Sequence, residues 1–169
     1  MIALQYGKSY FLEKTPKHVL CAERILKSIP EAKIIYVIRD GRDNVLSLKK
    51  RFLDLNMCIK RWNVDNKNFE ILSRNDKILI VRYENFVKNP YDSLKKICKF
   101  LGIDYEDAML NSSGNPYVNS KKSNMILRSN QVDRAIHDNT GKWILGLDKR
   151  ELDKFWKESA SLMSKMGYE

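Results

Sequence analysis

Residues Lys33 to Ser47 read KIIYVIRDGRDNVLS, and the fold turns on how that stretch divides. Its first six residues, Lys33 to Ile38, are short, β-branched and apolar on both faces. A strand of that kind is buried from above and below, as at the centre of a parallel sheet. Four charges around Gly41 follow, and then Val45, Leu46, Leu48, Phe52 and Leu53 mark a helix. In open α/β sheets, ligands sit outside the carboxyl ends of the strands. Arg39 stands at such an end, and Ser47 falls on about the second turn of the helix. A phosphate between them would meet a guanidinium fork, a hydroxyl and free backbone N–H groups. Gly41 would let the backbone turn tightly beside it. The competing expectation is that Arg39, Asp40, Arg42 and Asp43 only pair with one another at the strand exit.

Outward from this unit the chain keeps alternating. Upstream, Thr15-Pro16 predicts a helix start, with Val19, Ala22, Ile25, Leu26 and Ile29 at helical spacing up to Pro30. Downstream, a second helix is expected from about Met57 to Ser73, with Trp62 and Phe69 among its apolar positions. Lys77 to Tyr83, KILIVRY, is a second buried strand. Asn89-Pro90 opens a helix that stops at Gly102. The polar stretch from Asn111 to Thr140 reads as a long functional loop. Asp148-Lys149-Arg150-Glu151 resembles a capping box for a last helix ending near Gly167. Strands alternating with helices predict α/β architecture with a parallel sheet, in one domain over residues 1–169.

Composition narrows the class. Apolar residues make up 43% and charged residues 31% of the 169, as in a globular domain. No apolar run approaches the ~20 residues of a membrane helix, and the first residues lack the pattern of a signal peptide. Cys21, Cys58 and Cys98 are widely spaced, and the two histidines lie far apart. Neither a disulfide framework nor a metal site is expected, and the expected compartment is cytoplasmic. The net charge of +10 suits an anionic partner or simply a solvated, lysine-rich surface. No aromatic-basic motif supports nucleic acid.

The stretch YVIRDGRDNVLS resembles the 3'-phosphate-binding signature of sulfotransferases, which use 3'-phosphoadenosine 5'-phosphosulfate (PAPS) as sulfuryl donor. Upstream, EKTPKH (Glu13 to His18) is similar to the active-site segment of bacterial and heparan-type members. Downstream, VRYENFVKNPYDSLKKICKFLGI (Val81 to Ile103) resembles the family's tyrosine-acid strand end and following helix. The C-terminal GKW and MGYE resemble its ending. The resemblance implies a three-layer, P-loop NTPase-like sulfotransferase fold and transfer of a sulfuryl group from PAPS to a hydroxyl or amine. It implies Glu13 as base, His18 as its rival and Lys14 as a cation beside the donor. It places Arg39 and Ser47 on the 3'-phosphate and Tyr83 against adenine, with Arg134 and Lys142 as further 3'-phosphate candidates. Trp62, Trp143 and Trp156 are expected to pack. No metal is needed.

The family's glycine-rich loop for the 5'-phosphosulfate, with its Arg-Ser-Gly-Thr pattern, has no counterpart here. Gly7-Lys8-Ser9 is not a P-loop, because the first glycine of G-x-x-x-x-G-K-[ST] would fall on Ile2. The expectation is therefore the C-terminal two-thirds of the fold, incomplete at the N-terminus. The edge of KIIYVI would then be open to self-association or to a partner chain. A non-catalytic nucleotide-binding fragment that keeps the 3'-phosphate site is the alternative. A nucleotide kinase would require the P-loop and magnesium ligand that are missing. The acceptor class is open.

Overall fold

The computed structural model describes residues 7, 9–52, 54–110 and 136–169. Its two strands, β1 (Ile34–Ile38) and β2 (Ile78–Arg82), pair in parallel with Ile34 opposite Ile78 and Ile38 opposite Arg82. The β-branched run therefore forms the predicted strand, and the second ends one residue short of Tyr83. Ile34 N–H donates to the Lys77 carbonyl at 2.9 Å. Backbone groups alternate sides along a strand, so the N–H groups of Ile35 and Val37 point to the other edge of β1. That edge has no neighbouring strand among the described residues. Burial alternates too, which departs from the two-sided burial expected. Tyr36 and Ile38 lie in the core, whereas Val37 is 59% exposed.

Helices supply the remaining layers. A 3-10 segment, Pro16–Cys21, precedes α1 (Ala22–Ser28). Thr15 does not cap it with its side chain, because its hydroxyl donates to Glu13 Oε1 at 2.6 Å instead. After β1 come α2 (Gly41–Phe52), α3 (Leu55–Asn66) and α4 (Phe69–Leu72). The expected single helix of residues 57–73 is thus two. Asn66 ends the first part: its side-chain amide donates to the Trp62 carbonyl at 2.8 Å and its Oδ1 accepts the Tyr36 hydroxyl at 2.6 Å. A side chain that bonds the backbone in this way competes with helix continuation. The break turns Phe69 and Leu72 into the core.

Beyond β2 lie α5 (Tyr83–Lys88), α6 (Pro90–Leu101), α7 (Trp143–Gly146) and α8 (Lys149–Lys165). α6 stops at Gly102, whose φ of 78° is the left-handed C-cap that glycine favours. α2, α3 and α8 pack together, and Trp62 and Phe155 meet with ring centroids 5.7 Å apart. Complete burial of a ring such as Phe155 contributes roughly 1.5–3 kcal/mol. Their side chains join Tyr36, Ile38 and Ile78 in one cluster. α6 packs along β2, and its buried Cys98 lies outside that cluster. The layers are therefore helix, parallel sheet, helix.

Gly41 has a different purpose from the tight turn expected of it. It begins α2 itself, and a Cβ there would lie 2.7 Å from the Phe155 ring and 2.8 Å from Trp62. Glycine is needed for the close approach of α8 and α3.

Candidate functional site

The parallel register sets the site. With Ile38 opposite Arg82, the next residues of the two strands, Arg39 and Tyr83, leave the sheet side by side. The Arg39 guanidinium lies 4.6 Å from the Tyr83 ring centroid, a cation–π contact. Its Nη2 donates to the Asn139 carbonyl at 2.7 Å and comes within 4.0 Å of Asp43 Oδ2. Its Nε is buried and has no hydrogen-bond acceptor among the described residues.

The other charges of RDGRD are held in place, only partly as a local pairing would have it. Asp40 takes Arg42 by a fork, with Nε at 3.0 Å and Nη2 at 2.7 Å, and also accepts the Arg42 backbone N–H. The Arg42 guanidinium faces Trp143 at 4.1 Å and Trp156 at 5.2 Å. Both indoles pack as expected, partly against this cation, and Trp156 also against Phe155 and the core cluster. Asp40 N–H donates to Glu84 Oε1 at 2.9 Å, and Glu84 Oε2 accepts the Tyr168 hydroxyl at 2.9 Å. Burial, reinforced by the Glu84 charge, pushes the Tyr168 phenol far above its usual range, so it stays a donor. Asp43 instead reaches the C-terminal part of the chain, accepting Gly141 N–H at 2.8 Å and Trp143 N–H at 3.0 Å.

Residues 137–143 thus form a strap across the strand exit. The Tyr83 hydroxyl donates to the His137 carbonyl at 3.4 Å, and Lys142 Nζ bonds Asn139 Oδ1. Asp138 accepts the Thr140 N–H, and the hydrogen bonds from Thr140 hold its carboxyl below the usual range. Ser47 is exposed on α2, four residues from Asp43 and so on the same helix face. Arg134 lies outside the described residues.

Glu13, Lys14 and His18 form a second, exposed group. Glu13 Oε2 meets His18 Nδ1 at 2.6 Å while its Oε1 accepts the Thr15 hydroxyl. The Thr15 hydrogen bond, chiefly, lowers the Glu13 pKa, and the pairing with His18 adds to this. The carboxylate is open to solvent rather than partly buried as a strong base would need. Among the described residues no hydrogen bond or ion pair joins this group to the Arg39 cluster. Nor is any group of three His, Cys, Asp or Glu side chains placed to hold a metal there.

Sequence reasoning gave Asn139 no role, gave Asp43 only local pairing at the strand exit, and treated Glu84 and Tyr168 only as parts of a strand-end motif and of the C-terminal ending. An acidic residue in the first turn of α2 is the only local signal, because the partners of Asp43 lie about a hundred residues downstream.

A guanidinium 4.6 Å from an aromatic ring where two parallel strands end, its Nε without an acceptor among the described residues, marks an α/β protein with a cation at the carboxyl edge of its sheet. The chain belongs to the sulfotransferase family, whose profile matches residues 2–107. It is 24% identical to the protein-tyrosine sulfotransferase of Drosophila melanogaster, over 92% of this chain and 34% of that protein. It is 31% identical to protein-tyrosine sulfotransferase 1 of Danio rerio, over 64% of this chain and 34% of that one. The chain thus spans about a third of the length of these relatives. Among solved structures, the sulfotransferase domain of the Synechococcus PCC 7002 olefin synthase superposes with a TM-score of 0.68 at 22% identity. That match covers 94% of this chain and 62% of the domain. Mouse sulfotransferase SULT7A1 complexed with PAP gives a TM-score of 0.58 at 20% identity, over 82% of this chain and 60% of that one. The α/β sulfotransferase fold expected from the sequence is the fold observed.

Proposed function

We propose that this chain binds PAPS and moves its sulfuryl group to an acceptor hydroxyl or amine. One observation carries the reading: Arg39 follows the end of β1 with a buried Nε–H that has no acceptor among the described residues, while its Nη2 meets the Asn139 carbonyl and, at 4.0 Å, Asp43 Oδ2. A buried donor left unmet is costly, and a phosphate oxygen would satisfy it. Arg39, Ser47 and Lys142 would hold the 3'-phosphate, with Arg134 as a further cation and Tyr83 beside the base. In the reaction the bond from sulfur to the 5'-phosphate oxygen breaks as the acceptor oxygen or nitrogen bonds sulfur. The acceptor proton passes to Glu13, and 3',5'-adenosine diphosphate leaves. Because its hydrogen bonds keep Glu13 a weak base, in-line positioning and the charge of Lys14 supply most of the acceleration. No metal takes part in this scheme.

The names of the curated relatives make a tyrosine phenol the first acceptor to assay. A cytoplasmic location belongs to the same proposal and is supported by the three free thiols. So does association through the unpaired edge of β1, with a second copy or another chain. The reading does not call for nucleic acid, since it needs one nucleotide rather than a track of phosphates.

Calorimetric titration with 3',5'-adenosine diphosphate tests the reading. Wild type should bind, and Arg39→Ala should lose about 1.5–3 kcal/mol, the worth of hydrogen bonds to a charged group. A folded wild type that does not bind refutes it. The exposure of Glu13 favours one rival, a nucleotide-binding protein without turnover. Binding without sulfuryl transfer to any tyrosine peptide or phenol, in a protein carrying the full family fold, would support that rival.

A further inference from the structure

Asp43 is 2% exposed and sits in the first turn of α2. Arginines stand at 39 and 42, yet its closest partners come from the far end of the chain. Gly141 N–H reaches Oδ2 at 2.8 Å and Trp143 N–H reaches Oδ1 at 3.0 Å, whereas Arg39 Nη2 comes no nearer than 4.0 Å. A buried carboxylate is tolerated when charge-assisted hydrogen bonds meet both its oxygens. Gly141 has a φ of 68°, the left-handed conformation that glycine adopts without strain. That turn lets two nearby N–H groups converge on one carboxylate. Between them and Arg39 lies Asn139, whose backbone carbonyl takes Arg39 and whose Oδ1 takes Lys142. The carboxylate therefore fastens the segment that carries Lys142 beside Arg39.

We infer that Asp43 is a positioning residue for the nucleotide, pinning residues 139–143 so that Arg39 and Lys142 converge on one phosphate. It touches no donor atom itself, and the inference rests on the nucleotide reading above. Simple electrostatics demands the opposite effect. A negative charge close to Arg39 repels a phosphate, so a carboxylate acting only through its charge would weaken binding and its removal would strengthen it. The sign of the change separates the two.

Asp43→Asn keeps the volume but turns an NH2 toward one of the two N–H donors. Wild type and variant are titrated with 3',5'-adenosine diphosphate and with 5'-AMP, which lacks the 3'-phosphate, and circular dichroism checks the fold. Wild type should prefer the diphosphate, and D43N should cut that preference about tenfold with AMP affinity held. An unchanged or larger preference overturns the inference and leaves the nucleotide reading standing. Equal losses for both ligands mark general destabilisation and overturn it as well. A wild type with no preference refutes the nucleotide reading, and this inference with it. Should D43N not fold, amide exchange on wild type decides. The Gly141 and Trp143 amides should stay protected when the diphosphate is bound, and loss of their protection on binding refutes the role.

Discussion

Arg39 and Gly41 stand two residues apart and differ in kind: one carries a buried Nε–H with no acceptor among the described residues, the other must carry no side chain at all. The space at Gly41 is already filled by the Phe155 and Trp62 rings. Gly41→Ala should therefore lower the unfolding free energy by about 1–3 kcal/mol, the usual range for overpacking, in urea denaturation. An unchanged midpoint would show that α8 can move aside. Glu13 makes a prediction of a different kind. Its folded pKa is lowered, so its stabilising interactions are complete above the unfolded pKa and vanish as pH falls through the folded one. If Glu13 takes the acceptor proton, the acid limb of kcat/KM lies below the ordinary carboxylate range. Thr15→Ala, which removes the largest cause of the lowering, should then move that limb to higher pH. A limb near neutrality that Thr15→Ala leaves in place would assign the proton to an imidazole, and hence to His18. The place of Arg39 at a strand end was legible because the β-branched run before it is a local signal. Asp43 was not, since nothing local separates a carboxylate that pairs with its neighbours from one that holds a distant strap.

The last helix and the end of α6 follow their local signals, whereas the break at Asn66 and the uncapped Thr15 come from competing side-chain partners. The DKRE run of α8 behaves as its chemistry dictates: Asp148 Oδ1 accepts Glu151 N–H at 2.9 Å and Glu151 Oε2 accepts Asp148 N–H at 3.1 Å. Removing the cap with Asp148→Ala should cost about 0.5–2 kcal/mol, read as a lower Tm. The effect should exceed that of Lys154→Ala, an exposed residue within the same helix. Equal effects would mean that the packing of Phe155 and Met163, not the cap, governs α8. Gly102 likewise ends α6 where its spacing says it should. The helix over 57–73 failed as a single unit because Asn66 is a neutral choice by pattern. It becomes a stop only when Tyr36, thirty residues earlier, supplies its hydroxyl. Thr15 failed as a cap for a related reason: its hydroxyl had a carboxylate within reach.

At the scale of the molecule, the edge of β1 that faces away from β2 poses the main question of assembly. The parallel pair β1–β2 leaves the N–H groups of Ile35 and Val37 directed away from β2, with no strand beside them among the described residues. Val37 adds an apolar side chain that is 59% exposed. An edge of this kind invites pairing with whatever strand is at hand. Val37→Pro removes an outward N–H, leaves the bonds to β2 intact and holds Tyr36 in the extended conformation it already has. Sedimentation velocity over a range of concentrations should show the wild type self-associating and Val37→Pro remaining smaller at matched concentration, with both folded by circular dichroism. Identical sedimentation of the two would rule out this edge as the contact. If both stay monomeric at every concentration, the strand that completes the sheet does not come from a second copy.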